Sequence, residues 1–122
     1  MASTLIKNGR VIDPANKINT KADILIDKGL IVEVDKSCSI KPGDHKLIDA
    51  DGYNVIPGLV DMAARMREPG QEQKARIKSE TKAAASGGIT TLCCPPDTDP
   101  VVDEPAVVEL IHQKAASSGK CN

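Results

Sequence analysis

The stretch from Pro57 to Gly70, "PGLVDMAARMREPG", gathers several of the side chains in this sequence that could do chemistry together. An apolar run leads to Asp61, Arg65 and Arg67 follow two residues apart, and a Pro-Gly turn closes the segment. Side chains of an extended backbone alternate between faces, which predicts Asp61, Ala63, Arg65 and Arg67 on one face. A pair of metal ligands on that face would be useful at 63 and 65, where the sequence has Ala63 and Arg65. Alanine offers no lone pair, and a guanidinium is a permanent cation without an acceptor, so neither residue can ligate zinc. What the stretch does offer is positive charge, enough for Arg65 and Arg67 to hold an anion. A second segment, "CPPDTDP" at 94–100, follows another apolar run and brings carboxylates at Asp97 and Asp99.

The remaining reactive side chains point away from catalysis. His45 lies in a polar turn and His112 in a helical stretch, and each reads as a solvated or half-buried histidine. Cys38, Cys93, Cys94 and Cys121 lack the paired C-x-x-C spacing of a structural zinc site, and adjacent cysteines seldom bridge. They are expected to be reduced, mostly buried thiols, with Cys93 and Cys94 packed inside an apolar strand. Sixteen basic against 17 acidic residues leave a formal charge of −1, so no broad field recruits nucleic acid or an anionic membrane. Tyr53 is the sole aromatic residue, which removes the stacking platforms of single-strand nucleic-acid binders. The first residues, "MASTLIKNGR", contain no apolar signal segment, and no apolar run approaches the ~20 residues of a membrane helix. A cytoplasmic location is the expectation.

The elements that must position these residues fall into two regions, 1–56 and 57–122. The first alternates short apolar runs with turn signals. "IKNGRVI" predicts a hairpin, because Asn-Gly accepts the positive φ values of a tight primed turn. "ADILIDKGLIVEV" repeats the pattern around Lys28-Gly29, and further short strands flank Asp51-Gly52. The region is read as a small antiparallel β unit without a helix. Past Pro57 the pattern changes to strand, helix, strand, helix. Gly58–Met62 is expected to be a strand covered on both faces, and 89–94 a second buried strand. "QEQKARIKSETKAAAS" at 71–86 predicts a helix stopped by Gly87-Gly88, with a solvated face laced by i, i+4 pairs. A second helix is predicted over 106–119. Such alternation implies parallel strands joined by crossovers.

These residues carry a resemblance. "LIKNGRVIDPANKINTKADILIDKGLIVEV", "VIPGLVDMAARMREPGQE" and "SGGITTLCCPPDTDP" resemble the opening of a dihydroorotase of the amidohydrolase superfamily, the branch related to allantoinases and dihydropyrimidinases. The resemblance implies an α/β fold: an N-terminal β segment of a composite sandwich over 1–56, then the first strand-helix units of a (β/α)8 barrel over 57–122. Such a barrel typically takes about 250 residues, so the chain is expected to be the N-terminal piece of a longer protein. The other reading is a parallel edge completed by another chain.

The resemblance also implies site roles. The family signature is P-G-x-x-D-x-H-x-H-x-R-E-P-G, whose two histidines bind the zinc centre that activates water. This sequence keeps Pro57, Gly58, Asp61, Arg67, Glu68, Pro69 and Gly70, and has Ala63 and Arg65 at the histidine positions. Asp61 then has a structural role in the strand. In the second family motif, C-M-P-N-T-x-P, the asparagine and the arginine of the first motif hold the substrate carboxylate. Asp97 stands at the asparagine position, where its charge repels such a substrate and is expected to pair with Arg67. Arg65 would bring a fixed positive charge to the place of the metal. The expectation is a dihydroorotase-like pseudoenzyme without metal or catalytic residues, Arg67 and Asp97 being a degraded substrate site. Its implied partner is aspartate transcarbamoylase in pyrimidine biosynthesis, or a second copy of itself. The alternatives are a fragment of an active zinc-dependent cyclic-amide hydrolase whose other ligands lie beyond residue 122, and a module in which Arg65 and Arg67 bind an anionic metabolite.

Overall fold

A computed structural model describes residues 3–122, which divide into two units, Met1–Pro57 and Gly58–Asn122. The first unit is one sheet of five strands: β1 (Thr4–Asp13), β2 (Ile18–Asp27), β3 (Leu30–Asp35), β4 (Lys46–Asp49) and β5 (Asn54–Val55). Strands β1, β2 and β3 form the expected antiparallel meander, in the order β3-β2-β1. Strands β4 and β5 then add to the free edge of β1 in parallel, so the sheet is mixed. Val11, Ala22 and Ile24 form its buried core, with Ile6, Ile18, Ile26, Val34 and Val55 packed against them.

The turn chemistry explains one success and one correction. Lys28 and Gly29 have φ of 50° and 79° and join β2 to β3 as a two-residue turn, as expected. Asn8-Gly9 does not reverse the chain. It is a bulge inside the ten-residue β1, where the register with β2 shifts between Ile6 and Gly9. The cause is Asp23, fully buried in β2, whose charge demands partners. Its carboxylate accepts from Lys7 Nζ at 2.6 Å and from the Asn8 N–H at 3.1 Å. Asn8, at φ 66°, turns its own amide to Asp49 at 3.1 Å. The reversal is made instead after Asp13, whose carboxylate accepts the Ala15 and Asn16 N–H groups.

The second unit runs β6 (Leu59–Asp61), α1 (Ile77–Ser86), β7 (Ile89–Leu92) and α2 (Pro105–Ser118). Strands β6 and β7 are parallel neighbours, as the alternation implied. The Asn122 N–H donates to the Thr90 carbonyl and its carbonyl accepts from the Leu92 N–H, a parallel-type pairing on the other side of β7. Four expectations are corrected here. Strand β6 is shorter than 58–62 and is not covered, because Leu59, Val60 and Met62 are 49%, 55% and 73% exposed. Helix α1 begins at Ile77, since the Lys74 N–H is held by the Gln71 carbonyl in a separate turn and the Ile77 N–H is capped by Glu68. None of the ion pairs among the described residues lies within α1. Cys93 and Cys94 lie just past the end of β7 and are half-buried; all four cysteines are free. No helix among the described residues is long and apolar enough to cross a membrane.

Candidate functional site

The site residues sit where β6 and β7 end. Asp61 closes β6: its main-chain carbonyl accepts the Cys93 N–H at 2.8 Å, while its carboxylate accepts the Ala63 N–H at 2.9 Å. That local bond turns the chain at Met62-Ala63, and pairing resumes only where the Ala64 N–H donates to the Cys93 carbonyl. The strand alternation expected through residue 67 therefore stops at Asp61. Met66 is buried, Ala64 and Arg67 are half-buried, and Ala63 and Arg65 are exposed. Asp61, Ala63 and Arg65 border a hollow of about 330 Å³ that reaches Glu80 and Ala84 of α1. Arg67 and Asp97 are not among its lining residues.

The two departures from the motifs meet each other. Arg65 donates from Nε to Asp97 Oδ2 at 2.6 Å, with both side chains about half exposed. The same bond, then the charge attraction, holds the Arg65 guanidinium further toward its protonated form. The Asp97 carboxyl is held below the usual aspartate range, first by that bond and then by the charges of Arg65 and Arg67. Arg67 was the expected partner of Asp97, and this is corrected. Its backbone is left-handed, at φ 61°, its carbonyl accepts the Gln71 N–H, and its guanidinium makes no hydrogen bond among the described residues. Arg65 spends its charge within the chain.

Glu68 was read only as part of the turn, and the structure gives it a larger role. It is 8% exposed. One carboxylate oxygen accepts the Ile77 N–H at 2.9 Å, capping α1, and the other accepts Lys114 Nζ of α2 at 2.5 Å. Burial pushes the Glu68 carboxyl up, but the bonds from Lys114 and Ile77 outweigh it and hold the group below its ordinary value. Gly70, at φ 100°, lies against the Asp99 backbone, which leaves no room for a Cβ. The Asp99 N–H donates to the Pro69 carbonyl at 3.2 Å, and buried Thr98 donates to the Pro100 carbonyl at 2.8 Å. The Arg-Glu-Pro-Gly turn is thus fixed to α1, to α2 and to the loop carrying Asp97. No local signal marks Lys114, which lies 46 residues from Glu68.

The sequence profile described as dihydro-orotase-like matches residues 52–122, more than half of the chain. The chain belongs to the dihydroorotase-like family. It is 44% identical over 118 residues to the dihydroorotase of Trichlorobacter lovleyi, covering 97% of this chain and 28% of that protein. To the dihydroorotase-like protein of Pseudomonas aeruginosa it is 45% identical over 114 residues, covering 93% and 27%. The chain spans less than a third of the length of these curated relatives. Among solved structures, L-hydantoinase (dihydropyrimidinase) from Arthrobacter aurescens matches with a TM-score of 0.81 and 28% identity, over 94% of this chain and 25% of that one. A D-hydantoinase matches with a TM-score of 0.78 and 30% identity, over 98% and 26%.

The donors of this dihydroorotase-like chain do not fit a zinc ion at the first-strand position. Ala63 has no donor atom, Arg65 is a cation engaged by Asp97, and the Asp61 carboxylate is turned back onto its own backbone. No three His, Cys, Asp or Glu side chains among the described residues cluster as metal ligands. His45 meets Ser3 Oγ at 2.5 Å in the first unit. His112 and Cys121 border a separate hollow of about 910 Å³ at the start of β7, remote in the fold from the strand ends that carry Arg65 and Asp97.

Proposed function

We propose that this chain is the N-terminal part of a dihydroorotase-like protein of pyrimidine biosynthesis that has lost catalysis. In this reading the full protein completes a (β/α)8 barrel and works in the cytoplasm as a structural or regulatory partner of aspartate transcarbamoylase. The observation that carries it is the Arg65–Asp97 ion pair, which joins the residue at a ligand position to the residue at the substrate-amide position. Metal-assisted hydrolysis depends on an ion that lowers the pKa of bound water from about 15.7 to about 7. With alanine at 63 and a paired guanidinium at 65, the chain supplies no lone pairs for that ion from its first strand. The parts that hold the turn in place, Glu68, Gly70 and Asp61, all keep defined structural contacts. Retained packing beside replaced chemistry is what a scaffold role selects for.

The test uses purified full-length protein. It is assayed for hydrolysis and closure of the dihydroorotate ring, and for its effect on the assembly and activity of aspartate transcarbamoylase. The expected result is no turnover and a changed transcarbamoylase assembly or rate. Turnover at ordinary enzymatic rates, or a transcarbamoylase indifferent to the protein, contradicts the proposal.

A further inference from the structure

We infer that Asp97 is a built-in occupant of the anion site that Arg65 would otherwise offer, a tethered carboxylate that keeps free carboxylates out. The pairing is direct, Arg65 Nε to Asp97 Oδ2 at 2.6 Å. The loop that presents Asp97 is anchored on both sides of its tip. Thr98 is buried and bonded to the Pro100 carbonyl, and the Asp99 N–H is bonded to the Pro69 carbonyl. Asp99 also abuts Gly70, so the loop is fixed against the turn that carries Arg67. The charge of Arg67 adds a minor pull that lowers the Asp97 carboxyl, and its guanidinium makes no hydrogen bond among the described residues. Among the described residues Arg65 is therefore paired, by a carboxylate on the loop that follows β7, and Arg67 is not.

A tethered group competes at its effective concentration, millimolar even on a short flexible linker and higher on a fixed loop. A free carboxylate at lower concentration meets Arg65 already paired and meets the repulsion of Asp97 as well. An arginine–carboxylate pair formed inside the chain also avoids the loss of translational freedom that an added ligand incurs. The two replaced positions are on this account coupled: Arg65 without Asp97 leaves an open anion site, and Asp97 without Arg65 leaves an uncompensated acid. The inference deepens the proposed function and rests on it, but the two fail separately. Turnover judges the lost catalysis, whereas anion binding judges the pairing.

The experiment is calorimetric titration of the full-length protein with the dicarboxylate malonate at low salt, for wild type, Asp97→Asn, and Asp97→Asn combined with Arg65→Gln. Asp97→Asn is expected to bind malonate at least about tenfold more tightly than wild type, whose binding is weak. Adding Arg65→Gln to Asp97→Asn is expected to abolish the gain. Asp97→Ser serves as a second variant if the asparagine variant folds poorly. Equal binding by wild type and a folded Asp97 variant, absence of binding in both, or a gain that survives Arg65→Gln overturns the inference.

Discussion

Two ion pairs start from neighbouring residues of one turn, Arg65 and Glu68, and differ in burial. Glu68–Lys114 is largely buried on its acid side and joins the turn to both helices, whereas Arg65–Asp97 is about half exposed at both ends. An exposed pair gains little, because water screens it and two long side chains must be ordered. Breaking a buried one strands a charge and costs far more. Of the two pairs, the one built on the retained Glu68 sits where loss is expensive, and the one built on Arg65 and Asp97 sits where substitution is cheap. On the proposed reading, the turn and the chemistry of the site are held by different forces, so that one can be lost without the other.

The comparison can be broken by substitution, starting with the largest expected effect. Gly70→Ala places a Cβ into the Asp99 backbone at a left-handed φ of 100° and is expected to cost about 3–4 kcal/mol in chemical unfolding. Glu68→Ala leaves Lys114 and the first turn of α1 unpaired; with Lys114 40% exposed, the expected loss is about 2–3 kcal/mol. The same carboxylate sets a pH dependence. Its folded value lies below the ordinary 4.5, so its stabilisation is complete above that pH and is lost as pH falls through the lowered folded value. Stability measured across the acid range is expected to fall less steeply in Glu68→Gln than in wild type. Arg65→Gln is expected to move Tm by no more than about 2 °C, and less at high salt. A loss there as large as that of Glu68→Ala would erase the contrast between the two pairs.

Much of this was legible in the sequence, and the failures share a cause. The Lys28-Gly29 turn, the parallel pair of strands and both helices follow from local residue chemistry. The misread elements were decided by groups far apart in the chain. Asn8-Gly9 looks like a turn until the buried Asp23 carboxylate, 15 residues away, fixes it as a bulge. Helix α1 starts late because Glu68, nine residues earlier, caps Ile77. The face assignment of 61–67 failed because Asp61 bonds its own backbone, which no alternation rule registers. The partner of Asp97 was misassigned for a related reason, since alternation registers neither the loop that replaces the strand after Asp61 nor the left-handed backbone of Arg67.

The central claim of the proposal, that the full-length protein works without a zinc centre, is tested most directly by the zinc content of the purified full-length protein at neutral pH. The account predicts well under one equivalent, unchanged by incubation with zinc and removal of the excess. One or more tightly held equivalents per chain would contradict it.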